Sequence, residues 1–225
     1  NAVRFHHYER DLVDRSQEKC GWSFANGPEF PGAKGGLEMD ESVKWNEMPA
    51  LKVTGDFSGG GKYVQASCQL PKADIDGVVI QVMARNMKGT KVRLTDASGQ
   101  THQFGLNLKG DGTWEELHLP LTDFFERKGR SDAVPGLTQY EKWGGANDGK
   151  WRGPGKMMAM TVPAGKNTNE PGMLWIGDVA VKTKEGGAGM MVFHESFDSA
   201  KLPAGWKTEG AVSMAGGTSK KDKKA

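Results

Sequence analysis

Between Val78 and Leu121 apolar residues alternate with polar ones, and turn-forming clusters cut the alternation into four pieces, VVIQVMAR, KVRLTD, THQFGLNL and WEELHLPL. Side chains alternate across a strand, so parity assigns faces. Even positions carry Val78, Ile80, Val82, Ala84, Val92, Leu94, Phe104, Leu106 and Leu108. Odd positions carry Gln81, Met83, Arg85, Arg93, Thr95, Gln103 and Asn107. One face is a core and the other bears arginine and glutamine, the pattern of a half-buried antiparallel sheet. Asn86–Gly89, Ala97–Gln100 and Lys109–Gly112 supply turn chemistry between the pieces. The pattern predicts one sheet whose polar face holds Arg85, Arg93 and Gln103 together.

Other segments repeat the alternation. Ala50–Phe57, Tyr63–Leu70, Lys156–Val162 and Met173–Val181 read as strands, and Leu37–Met39 opens a short one after Gly35 and Gly36. In the second of these, Tyr63, Gln65 and Ser67 oppose the core residues. Leu121–Lys128 reads as a helical turn or two, capped by Thr122 or Asp123. Residues 129–155 show no period and read as a long loop, a length that is usually functional or disordered. Trp143 and Trp151 bracket its Gly-Gly-Ala-Asn-Asp-Gly centre, and two indoles argue against disorder. Eight to ten short strands without a long helix predict an all-β fold, a two-sheet antiparallel sandwich of jelly-roll type.

The domain reading follows from composition along the chain. Residues 1–183 form the sandwich, and 184–190 are a Gly-rich linker. Residues 191–215 are the opening of a second, similar sandwich or a returning edge strand of the first; 216–225 are a charged, disordered tail. The 32 glycines, 10 prolines and 36% hydrophobic residues in 225 suit short strands and many loops. A net charge of +2, with basic residues dispersed, gives no stripe for nucleic acid. No apolar run reaches the length of a membrane span. Cys68 has core parity and reads as a buried thiol, with a bridge to Cys20 as the alternative.

Catalytic patterns are sparse. His6, His7, His102, His118 and His194 make no metal-binding spacing with one another, and His102 has core parity. Tyr63, Arg93 and Gln103 are raw materials for a polysaccharide lyase, and Glu115, Glu116 and Asp123 for a glycoside hydrolase. Nothing in their spacing singles them out. Sugar binding fits better, because sugars offer hydroxyl pairs to planar donors and flat C–H faces to aromatic rings. Tyr63, Gln65, Gln81, Arg85, Arg93 and Gln103 offer such groups on strands, and Trp143, Asn147, Asp148 and Trp151 offer them on the loop. The plain alternatives are indoles packed against the sandwich edge and a polar face that is solvated or meets another protein.

The succession of Gly21-Trp22, the Ala50–Val53 strand, the Trp114–Leu119 strand and the closing Leu174-Trp175-Ile176-Gly177-Asp178-Val179 resembles jelly-roll carbohydrate-binding modules of the galactose-binding-like group. These are appended to secreted polysaccharide-degrading enzymes. The resemblance covers roughly residues 21–181. Glu29–Gly35 and Thr95–Gln103 look like motifs of one subfamily. The resemblance implies a non-catalytic glycan-binding role, a secreted or cell-surface location and further domains in a larger protein. It also implies a structural calcium, for which Asp178 and Asp14 are the candidate ligands; Gly177 stands where the family's closing strand carries another acid. The alternatives are a structural or assembly domain of an extracellular complex, and a jelly-roll lyase or hydrolase.

Overall fold

The alternating segments form strands in two antiparallel sheets packed face to face. The structure is a computed structural model and describes residues 7–8, 21–70, 72–165, 170–184, 191–196 and 212–213. In chain order the strands are β1 (His7–Tyr8), β2 (Ser23–Ala25), β3 (Lys34–Trp45), β4 (Met48–Asp56), β5 (Tyr63–Gln69), β6 (Ile75–Arg85), β7 (Gly89–Thr95) and β8 (Thr101–Asn107). They continue as β9 (Asp111–Pro120), β10 (Leu137–Trp143), β11 (Met157–Pro163), β12 (Gly172–Thr183), β13 (Met191–Ser196) and β14 (Val212–Ser213). A front sheet has the order β10-β8-β7-β11-β5-β2, and a back sheet β3-β4-β12-β6-β9 with β13 also on β12; β1 pairs with β14. From β4 to β12 the chain changes sheet repeatedly, in the jelly-roll manner.

Parity names the core correctly. Val78, Ile80, Val82, Ala84, Val92, Leu94, Phe104, Leu106 and Leu108 are all buried in one cluster between the sheets. What parity does not give is the sheet. The four pieces between Val78 and Leu121 do not form one sheet: β6 pairs with β9 at the back, and β7 with β8 at the front. A sandwich has a single core, and both sheets turn their apolar parity toward it, so alternation looks the same in each. The connections differ instead. Met87 and Leu108 lie in the two connections that cross between sheets, and both are buried in the core cluster. The Asp96–Gln100 connection, a true hairpin within the front sheet, contributes nothing to that cluster.

Two further expectations change. The stretch 129–155 is not one long loop, because it contains a 3-10 turn at Ser131–Ala133 and the edge strand β10. Its alternation is hidden by a register shift between Leu137 and Gln139, after which Tyr140 rather than an odd residue packs inward. The helix Leu121–Glu126 follows β9 without a break, so its cap position falls on Pro120 rather than Thr122 or Asp123. Leu121 and Phe124 anchor it in the core. Residues 191–196 return antiparallel along β12, Asp178 facing Ser196. The rest of the expected linker, second unit and tail, with Asp14 and Cys20, lies outside the described residues. Cys68 is half-buried and packs against the core.

Candidate functional site

The outer face of the front sheet is organised by Arg93. In register, Glu141 of β10, Gln103 of β8, Arg93 of β7, Ala159 of β11 and Ser67 of β5 form a row across it. Ala159 is small and fully covered, and the Arg93 side chain crosses its strand to reach β5. Arg93 Nε donates to Gln103 Oε1 at 2.8 Å, and Nη1 donates to Gln65 Oε1 at 2.7 Å. The guanidinium lies 4.5 Å from the Tyr63 ring centre and 5.7 Å from that of Trp143. A planar cation is thus fixed in plane by two amides and bracketed by two aromatic rings.

A cleft of about 470 Å³ opens over this arrangement, lined by Tyr63, Arg93, Gln103 and Trp143 together with Phe30, Lys62, Lys91, Thr161, Pro163 and Ala164. Trp143 is 42% exposed and stands at its rim. Gln103 is on the expected outer face, yet only 3% exposed. Arg93 and Glu141 cover it, and its amide nitrogen donates to Glu141 Oε2. Lys91 lies 3.6 Å from the same carboxylate. The opposite wall comes from the loop before β3, which brings Phe30 edge-on to Tyr63 and places the Lys62 ammonium 4.0 Å from the Phe30 ring centre. That loop sits tightly on the next turn: a Cβ at Gly32 (φ 112°) would stand 2.2 Å from the Gly59 carbonyl oxygen.

The Tyr63 hydroxyl donates to Glu29. This hydrogen bond holds the Glu29 carboxyl below its ordinary value. Burial, then the same bond, pushes the Tyr63 phenol above its own. A phenol held in its protonated form is a donor rather than a base. Glu29, Phe30, Lys62, Lys91 and Glu141 were not among the expected site residues. The legible signal was an aromatic inside a Pro- and Gly-rich loop, Glu29-Phe30-Pro31-Gly32, the same signal that drew attention to Trp143.

The Trp-bearing loop divides its two indoles. Trp151 turns inward, 5.5 Å from the buried His102 ring and stacked 6.4 Å from Phe125, so it is an edge-packing residue. Asp148 is taken up by a two-pronged ion pair with Arg152 at 2.6 and 2.8 Å, which holds its carboxyl well below the usual range. The Asn147 carbonyl accepts from Lys142 at 2.7 Å. Neither Asn147 nor Asp148 lines the cleft.

The Thr95–Gln103 motif explains the loop's path. Asp96 is fully buried, and its carboxylate accepts from the Ser98 and Gln100 amides and from the Arg152 amide. Gln100 bonds the Lys150 carbonyl and the Gly149 amide. Burial would raise the Asp96 carboxyl; the bonds from Ser98 and Gln100 outweigh it and hold it below its ordinary value. The motif fastens the loop.

Gln81 and Arg85 belong to the other side of the molecule, on the outer face of the back sheet. Gln81 donates to Glu116 at 2.7 Å, and Arg85 lies 5.7 Å from the Trp175 ring centre. The expectation that Arg85 shares a face with Arg93 is therefore corrected: β6 belongs to the back sheet, and the chain crosses to the front only after it, at Met87. There Trp175 is 3% exposed and donates from its indole to Asp40 at 2.8 Å. Trp45 and Trp114 pack 5.2 Å apart over Gly177, where a Cβ would come within 2.6 Å of Trp45. Asp178 sits at a register shift beside Gln81. Among the described residues no three His, Cys, Asp or Glu side chains gather around a metal-sized space.

No family model matches the chain, and no curated protein matches it. Among solved structures it is similar to one described as a carbohydrate-binding module of the β-sandwich superfamily with promiscuous specificity. The identity is 8% and the TM-score 0.44, with 76% of this chain covered. The match spans 60% of that structure's length.

Proposed function

We propose that the protein is a non-catalytic carbohydrate-binding module whose ligand lies across the front sheet, in the Arg93 cleft. The observation that carries this reading is a 42% exposed indole, Trp143, beside a guanidinium held rigid by Gln65 and Gln103. The indole and the Tyr63 and Phe30 rings offer stacking surfaces to sugar C–H faces, and the amides and cations offer hydroxyl partners. Tyr63, Gln65, Arg93, Gln103 and Trp143 are the binding residues; Gln81 and Arg85 are too far round the molecule to join them. A secreted or cell-surface setting, within a larger protein, is the context in which such a module works.

Affinity electrophoresis in gels containing soluble polysaccharides tests the proposal. Trp143→Ala should weaken binding to a responsive polymer tenfold or more with the melting temperature kept, as loss of a central aromatic anchor costs about 2 kcal/mol or more. Trp151→Ala should lower stability instead. If Trp143→Ala binds normally, the site lies elsewhere. If Trp143→Ala unfolds, the indole is structural and the reading fails.

A further inference from the structure

The charge in the cleft is one-sided. Lys62, Lys91 and Arg93 line it, and no Asp or Glu forms part of its wall. The two nearby carboxylates already have partners: Glu29 the Tyr63 hydroxyl, and Glu141 Gln103 and Lys91. Arg93 is the more telling cation. It donates to two neutral amide oxygens and contacts the Tyr63 phenol, and its charge is felt by Glu29 beyond that phenol. A half-buried guanidinium is ordinarily matched by a carboxylate, because removing its charge from water without a counter-charge is costly. Here amides and ring faces hold it, and among the described residues no carboxylate stands within ion-pair distance. The Lys62 ammonium, exposed at the mouth, rests on the Phe30 ring rather than on a carboxylate.

We infer that the ligand is anionic and answers the cleft's three lining cations: the cleft selects an acidic polysaccharide, with a carboxylate or sulfate group of one sugar on Arg93 and the neighbouring sugar on Trp143. This rests on the glycan-binding reading above and narrows it to a substrate class. The planar Arg93 edge suits a two-pronged contact with a uronate carboxylate, and the lysines add attraction without geometric demand. A neutral sugar would add no counter-charge to the three cations that line the cleft.

The experiment is a binding panel with the full chain. It uses polygalacturonate, alginate, hyaluronan and dextran sulfate on the acidic side, and dextran, xylan, galactan and mixed-linkage glucan on the neutral side. The best uronate polymer is also tested after carboxyl reduction. Retention by at least one acidic polymer, lost tenfold or more on carboxyl reduction and weakening steeply with salt, is the expected result. Retention by dextran sulfate and not by the uronates supports the acidic class, with sulfate as its source. Lys62→Gln, at an exposed position where folding is not at stake, should weaken that binding several-fold, and Arg93→Gln should weaken it further. Equal binding of the reduced or neutral polymers overturns the acidic selection while leaving a glycan-binding module. Retention by no polymer overturns both.

Discussion

The two outer faces of the sandwich use the same residue types for opposite ends. At the back, a row from Glu38 through Lys52, Trp175 and Met83 to Trp114 crosses four pairings of the sheet. Its central indole is closed in: Lys52 and Arg85 lie over the ring at 5.8 and 5.7 Å, and Asp40 takes its N–H. Ala50 and Met83 are buried with it in a satellite cluster, with Val43, Trp114 and Met173 packed around. At the front, Arg93 also meets an indole, but Trp143 keeps its other surface open. An indole enclosed by its own chain supports the fold; one met on a single side is left for a partner. Residue type does not separate the two cases, and enclosure does.

The contrast can be broken by substitution. Trp175→Ala should have the largest effect, lowering unfolding free energy by about 3–5 kcal/mol while binding at low temperature stays normal. Denaturant melts with a binding assay check it, and a loss of binding without a loss of stability would reverse the assignment of the faces. Gly177→Ala should come next. Its methyl group would collide with Trp45 and Trp114, so overpacking should cost about 1–3 kcal/mol in the same melts.

Acid should separate the buried loop anchor from the site. Burial holds His102 below its ordinary 6.5 although Asp96 pulls it upward. The unfolded chain therefore takes up the proton first, and stability present above pH 6.5 is lost as pH falls toward the folded value. Melting temperature against pH should show that decline, and His102→Gln should flatten it. In the cleft, Glu29 stays charged and Tyr63 protonated between their ordinary values of 4.5 and 10.0. Binding should therefore be flat over the middle of that range. Smallest of all, Arg85→Gln should leave glycan binding unchanged, since Arg85 sits on the enclosed face.

Much of this fold is legible in the sequence, for a physical reason. Burial imposes a strict two-residue period, so Val78 to Leu108 declare the core without reference to any partner strand. Sheet membership is set by connections, and there the useful residue was Met87, an apolar side chain in a segment that otherwise reads as an exposed turn. The site was half legible. Tyr63, Gln65, Arg93, Gln103 and Trp143 come together as strand parity and the loop's aromatic character suggested. Glu29, Phe30, Lys62 and Lys91 depend on how a loop folds over a sheet edge, which no local period records. Asp148 was misleading because an Arg four residues later satisfies it.

One feature of the front sheet bears on how the protein is made. β11 lies between β7 and β5, yet it is the last strand of that sheet to leave the ribosome. Until residues 157–163 emerge, the sheet consists of two separate halves, β10-β8-β7 and β5-β2, each with an unsatisfied edge. Tyr63, Gln65, Arg93, Gln103 and Trp143 have all been synthesised by then, but on halves that nothing holds in line. A message cut short just before Met157 would encode those five side chains without the strand that brings them together. It would also lack β12, which lies between β4 and β6, and so release a chain with four unpaired inner strand edges, two in each sheet, the kind that pair with neighbouring copies. On the proposed reading, binding doubles as a proof of complete synthesis, because the cleft is assembled only once the late central strand has joined.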